Sequence, residues 1–267
     1  MKIFVSADIE GTAGITLWDE TSYGNPRYAY FADQMTRECA AACEGALAAG
    51  CTELVVKDAH GSACNLNPRM LPEEVKLFRG WGSDAMSMMM GLQRGFDGVF
   101  FTGYHSAAGM DTNPLSHTMN TRNCWVRING MIAPELMINS LTASYLGVPV
   151  RLVTGDKGLC DWMRAINPNV ETVAVSEGFG RGSLSIHPDK AIRLIREAAE
   201  RAMAKPAEDM MFPMPDHFKV EIRYKEHFHA RNARTYPGVK QSGEDPYQIE
   251  YECDDYMDVL RMIDNVL

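Results

Sequence analysis

The chain has 267 residues, 46% apolar and 23% charged, which are ordinary values for a globular protein and admit one large domain or two smaller ones. Its 26 basic and 35 acidic residues leave a net charge of −9, which argues against nucleic acid or an anionic membrane as principal partner, because both select basic surfaces. No apolar run approaches the roughly 20 residues of a membrane span. No signal-peptide core precedes the first strand, and the seven scattered cysteines include no Cys-x-x-Cys pair, so a reduced, cytoplasmic chain is expected.

The apolar run from Met1 to Ala7 predicts a first strand, closed by Asp8-Ile9-Glu10-Gly11. Residues 33–49 carry Ala, Cys, Met and Leu at helical spacing and stop at Gly50; Cys39 and Cys43 then fall on a buried face of that helix. Thr52 to Asp58 reads as a second strand, Val75 to Phe78 as a short third, residues 83–94 as a Met-rich helix, and Asp97 to Gly103 as a fourth strand. β-formers around Asn129-Gly130, from Cys124 to Ile132, predict a hairpin. A helix over 135–146 follows, then a strand from Pro149 to Gly155, a helix over 157–166, a strand from Val170 to Val175, and a helix over 189–204 entered at His187. Gly178-x-Gly180-x-Gly182 is too loose for a dinucleotide fingerprint and reads as a flexible connection.

Beyond Pro206, the alternation of Phe218, Val220, Ile222 and Tyr224 predicts a half-buried strand. Tyr247 to Tyr251 is a partner for it, His227 and His229 alternate on a solvated strand face, and residues 254–266 look helical. The fold class is α/β: a mostly parallel sheet flanked by helices, with an inserted β-hairpin and a smaller C-terminal α+β unit. The division falls at residues 1–205 and 206–267, with the 116–134 hairpin region free to join the smaller unit in space.

Strand ends carry the chemistry. Side chains alternate along a strand, so Asp8 and Glu10 point to one side, and two anions that close repel unless a proton or a metal ion lies between them. The second strand ends in Asp58-Ala59-His60 and the fourth in Gly103-Tyr104-His105. In an open parallel sheet all carboxyl ends share one edge, where ligands bind. Each residue alone has a plain reading as a turn former or a loop histidine; four at equivalent ends of three strands point to a metal. Glu135, behind Pro134, reads by itself as a first-turn glutamate favoured by the helix dipole, and His117 as a loop histidine, a general acid/base or a transition-state stabiliser. Asp, Glu and His without Cys suit zinc, manganese or cobalt in a hydrolytic role, and five candidate ligands suit two ions better than one. No Walker loop and no Gly-x-Ser-x-Gly elbow is present.

At these residues the sequence resembles the zinc-dependent D-aminopeptidases of the dipeptide-operon type, peptidase family M55. The shared pattern is Ser6-x-Asp8-x-Glu10-Gly11, Asp58-x-His60, Gly103-Tyr104-His105, Ser116-His117 and Glu135, in order and with similar spacings, and the likeness runs from residue 1 to about 190. The resemblance implies two zinc ions per chain bridged by Asp8. Glu10 and His105 would complete one ion's protein ligands, His60 and Glu135 the other's, and His117 would be the catalytic histidine. It implies release of N-terminal D-residues, D-alanine above all, from short peptides, and a ring-shaped homo-oligomer, a decamer in the family's pattern. Two competing readings stand at this point: a related metal-dependent amidase or esterase with a non-D-peptide substrate, and a peptide-binding protein of a transport system. Zinc content separates the last from the others.

Overall fold

A computed structural model describes residues 1–267. In chain order its strands are β1 (Lys2–Ala7), β2 (Glu53–Asp58), β3 (Val75–Phe78), β4 (Gly98–Tyr104), β5 (Asn123–Ile128), β6 (Met131–Ile132), β7 (Val150–Asp156), β8 (Glu171–Phe179), β9 (Gly182–Ser185), β10 (Phe218–Tyr224), β11 (Lys240–Gln241) and β12 (Gln248–Cys253). The α-helices are α1 (Tyr28–Ala48), α2 (Glu135–Tyr145), α3 (Lys157–Ile166), α4 (Pro188–Ala204), α5 (His227–Ala233) and α6 (Tyr256–Val266). Seven strands form a sheet in the order β3-β2-β1-β4-β7-β8-β9, parallel except for β9. Five form an antiparallel sheet in the order β11-β12-β10-β5-β6.

The parallel sheet is covered on both faces, and period-two alternation in its strands sorts the core. Ile3 and Val5 of β1, with Leu54, Val56, Phe100 and Leu152, pack against α1 and α4. Phe4, Val55, Val99, Phe101 and Val153 face the other way, into a core that continues through α2 and α6 to Val126, Val220 and Ile222 of the antiparallel sheet. The second sheet is therefore packed against the first and shares its core. The expected hairpin forms at Asn129 (φ 50°) and Gly130 (φ 81°), the two positive φ angles of a type I′ turn. Its strand β5 pairs with β10, so residues 206–267 share their sheet with the insertion.

Four local expectations are corrected. The segment 83–94 is not a helix: it holds two short 3₁₀ turns, Ser87–Met89 and Leu92–Arg94. Ser83, Ser87 and Gly91 have positive φ and break any α-helical run, while Met86, Met88, Met89 and Met90 are buried without helical periodicity. The glycines at 178–182 are not a loose connection, because β8 runs on to Phe179 and turns back into β9. His227 and His229 lie on helix α5, not on a strand; Ala230 and Ala233, three apart, form its buried face. Finally, β1 stops at Ala7, and Asp8 to Gly11 form a turn closed by Thr12 N–H to the Ile9 carbonyl. Asp8 and Glu10 thus meet through turn geometry rather than strand alternation.

Candidate metal centre

β2, β1 and β4 are adjacent, with Ala7 in register with Asp58 on one side and Thr102 on the other, so the loops leaving them emerge together. The turn after β1 lies directly on the end of β4. Asp8 N–H donates to the Thr102 carbonyl and Gly11 N–H to the Gly103 carbonyl, both at 2.8 Å. A Cβ on Gly11 would lie 1.8 Å from the Tyr104 carbonyl oxygen, and one on Gly103, at φ +68°, would lie 2.2 Å from that of Asp8. Only glycine at both positions permits this approach, and the approach sets Asp8 and Glu10 against His105.

Each of the six predicted side chains is brought to one place. His60 Nδ1 lies 3.3 Å from Asp8 Oδ1 and 3.2 Å from Glu10 Oε2. His105 Nε2 lies 3.4 Å from Asp8 Oδ2 and 3.6 Å from Glu135 Oε2. His117 Nε2 lies 3.6 Å from Glu135 Oε1, and its ring stacks on that of His105 at 4.2 Å. Within these contacts His60 groups with Asp8 and Glu10, and Glu135 with His105 and His117; His60 and Glu135 are not paired. His187 caps α4, and His217 pairs with Asp254 on the surface.

The remaining bond of each imidazole fixes its tautomer. His60 Nε2 contacts the Thr21 carbonyl at 2.8 Å, His105 Nδ1 that of Ser106 at 3.0 Å, and His117 Nδ1 that of Leu115 at 2.9 Å. A carbonyl only accepts, so each of these nitrogens carries the proton. In the neutral rings the other nitrogen then turns a lone pair toward carboxylates, an arrangement that is repulsive unless a cation lies between. Asp8 Oδ2, Glu10 Oε2 and His105 Nε2 are buried with no hydrogen-bond partner. Asp8, Glu10 and His105 present ligand atoms within 4.8 Å of one another, as do His105, His117 and Glu135. Orphaned donors of this type and spacing fit divalent zinc.

The electrostatics state the same demand. Burial, reinforced by the Glu10 charge, pushes the Asp8 carboxyl up to about 8. His60 and His105 are held well above the ordinary histidine range, because Glu10, Asp8 and Glu135 outweigh their burial. Burial and the neighbouring His105 push His117 down. Without a cation the cluster draws protons onto His60 and His105; a metal ion supplies that positive charge while leaving the imidazoles neutral.

Several supporting residues were given no role of their own by the sequence, although Asp58 stands in the Asp58-x-His60 motif. Buried Asp58 accepts from Leu66 N–H at 2.8 Å and from Asn65 N–H and Nδ2, and Asn65 Nδ2 also reaches the His60 carbonyl at 2.6 Å, folding the loop that presents His60. Asp156, the N-cap of α3, accepts from Ser106 N–H at 2.7 Å and Asn113 Nδ2 at 3.2 Å, fixing the loop behind His105. Met119 N–H donates to Glu135 Oε1 at 2.7 Å. Asp156 was detectable in principle as an acid ending a strand before a helix. Over the cluster opens a cavity of about 470 Å³ walled by Trp18, Tyr23 and Trp81.

The family profile Peptidase M55, D-aminopeptidase, matches residues 1–265. A D-aminopeptidase of Bacillus subtilis (strain 168) is 32% identical over 245 residues, covering 90% of this chain and 87% of that protein. The solved structure of the Zn-dependent D-aminopeptidase DppA from Bacillus subtilis, a self-compartmentalizing protease, matches with a TM-score of 0.91 at 28% identity, over 98% of this chain and 95% of that one.

Proposed function

This chain belongs to the D-aminopeptidases of peptidase family M55, and from that premise we propose that it releases N-terminal D-residues from short peptides at a two-zinc centre. Asp8, Glu10, His60, His105 and Glu135 hold the ions. The observation that carries the reading is the set of buried, unpartnered atoms Asp8 Oδ2, Glu10 Oε2 and His105 Nε2 converging at the shared carboxyl edge of β1, β2 and β4. When bound, zinc supplies Lewis acidity, lowering the pKa of a water and polarising a scissile carbonyl.

The chain's own groups do the rest. His117 keeps its proton on Nδ1 through the Leu115 carbonyl, so Nε2 is the atom that takes and gives a proton at the reacting bond. Burial, above all, pushes its pKa down, which favours the form in which that nitrogen is free to accept. The ring is held from two sides: it is stacked on His105, and Trp18 meets it in a T-shaped contact with ring centroids 5.1 Å apart. Met119 N–H on Glu135 Oε1 orients that carboxylate. Residues 1–205 carry the chemistry, and residues 206–267 with the β5–β6 hairpin form the smaller unit. The assembly in this reading is a ring-shaped homo-oligomer, a decamer, supported by the match to a self-compartmentalizing protease. Cytoplasmic residence is supported by seven free cysteines.

The test is hydrolysis of D-Ala-D-Ala and L-Ala-L-Ala with and without chelator, together with zinc analysis. We expect cleavage of the D-dipeptide alone, loss on chelation and recovery with zinc, at about two ions per chain. His117→Ala should retain the zinc and lose roughly 10²–10⁴ in kcat. Chelator-insensitive cleavage, or preference for the L-dipeptide, would overturn the proposal.

A further inference from the structure

His117 borders two cavities. One is the chamber over the carboxylate–imidazole cluster; the other, also about 470 Å³, shares Trp18, His117 and Thr121 with the first. Their linings differ. The first is lined by Asp8, Glu10 and Glu135 and by no Lys or Arg. The second is lined by polar groups, among them Ser116 and Asn123, and by a single charged side chain, Lys225.

Lys225 is the charged side chain that this second cavity offers a ligand. Lys219 and Arg223, its neighbours along β10, are paired with Glu250 and Asp245. Lys225 is exposed and pairs with no carboxylate. Its backbone is nonetheless fixed at the end of β10 by a 2.8 Å bond from its N–H to the Arg122 carbonyl. An unpaired ammonium lining a polar cleft that adjoins the proposed zinc centre suits the carboxylate of a short peptide whose N-terminal residue lies at that centre.

We infer that Lys225 reads the C-terminal carboxylate of short peptides whose N-terminal residue lies over the carboxylate–imidazole cluster. The inference rests on the aminopeptidase reading above and extends it. His117 borders both cavities, so the bond to be broken lies beside His117 and the leaving portion extends toward Lys225. Lys225 is then a specificity residue: it favours peptides with a free carboxylate over amides and over chains whose carboxylate lies beyond its reach.

The test compares the all-D alanine dipeptide and tripeptide, each as free acid and C-terminal amide, in the wild-type zinc enzyme, Lys225→Met and Lys225→Arg. In the wild type the acid should be favoured in kcat/KM by roughly five- to tenfold at one of the lengths, through KM, as expected for one partly exposed charged contact. Rising salt should reduce that advantage. Lys225→Met should bring the acid-to-amide ratio close to one, and Lys225→Arg should keep it. An acid preference that survives in Lys225→Met, or its absence from the wild type at both lengths, overturns this inference and leaves the aminopeptidase reading intact. Failure of the wild type to cleave any of the four compounds overturns both.

Discussion

Asn65 shows how much of the centre depends on a residue that binds no ion in this reading. Its side chain bonds to Asp58, to the His60 carbonyl and to the Tyr28 hydroxyl, and its backbone N–H to Asp58 again. Asn65→Ala keeps the last bond and removes the others, leaving the His60 loop free to drift. The expected result is a 10- to 100-fold loss of zinc affinity, the usual effect of deleting an outer-shell partner, with about 1–3 kcal/mol of lost stability. Competition with a chromophoric chelator measures the first, and urea unfolding the second. Unchanged zinc affinity in a destabilised variant would mean that Asn65 supports the fold alone. Nothing adjacent to Asn65 in sequence announces this, because its partners are 5, 7 and 37 residues away and meet only in the folded loop. Asp8, Glu10, His60 and His105 were legible because strand ends of a parallel sheet converge by topology. Glu135 was legible only through the family resemblance, since a first-turn glutamate has a sufficient local reason to exist.

Elements with one dominant period were read within a few residues, whereas those held by tertiary contacts were not. The strands β1, β2, β3 and β7 and the helices α2, α3 and α4 alternate or repeat plainly. The Met-rich segment failed because methionine fills irregular core space as readily as a helix face, and positive φ at Ser87 and Gly91 breaks any helix there. Helix α1 begins at Tyr28, five residues before its apolar pattern, and it serves the site through Glu38. This buried carboxyl accepts from Ala13 N–H at 3.0 Å and Gln34 Nε2 at 2.9 Å, tying α1 to the segment that follows the Asp8–Gly11 turn. Burial, against these two bonds, pushes it from 4.5 up to about 7. A group whose pKa is raised on folding binds more protons in the native state, so its contribution is full below its unfolded pKa and is lost as pH rises through the folded one. Stability should therefore fall between about pH 4.5 and pH 7, by at most about 3 kcal/mol from this group. Glu38→Gln keeps the carbonyl acceptor and removes the titration. The difference between wild type and variant in urea unfolding at pH 5 and pH 8 isolates the effect, and equal slopes in both would show that Glu38 titrates as it does in the unfolded chain.

At the scale of the whole molecule, the centre joins parts that the sequence separates widely. Asp8, His60 and His105 leave adjacent strands of the parallel sheet, but Glu135 opens α2, which packs on β4 and β7 and touches α6. Residues of α2 and α6 lie in the same continuous core as β5 and β10. In the proposed centre, a metal held by Glu135 would tie the inner face of the second sheet to the carboxyl edge of the first. Removing it leaves Asp8, Glu10 and Glu135 buried together with only protons drawn onto His60 and His105 to offset them, while the shared core remains intact. Ligand linkage puts one site at about 4 kcal/mol when free zinc exceeds its Kd by 1,000-fold. Two such sites give about 8 kcal/mol, so at about 2–4 °C per kcal/mol for a chain of this size chelation should lower the unfolding midpoint on the order of 20 °C. Because the core is shared, the transition should stay single in both states, with the two sheets unfolding together. Differential scanning calorimetry of the zinc-loaded and chelated protein, held at equal concentration so that assembly is matched, distinguishes the outcomes. Two resolved transitions after chelation would show that the antiparallel sheet unfolds by itself and that the metal, rather than the common core, makes the molecule one cooperative unit.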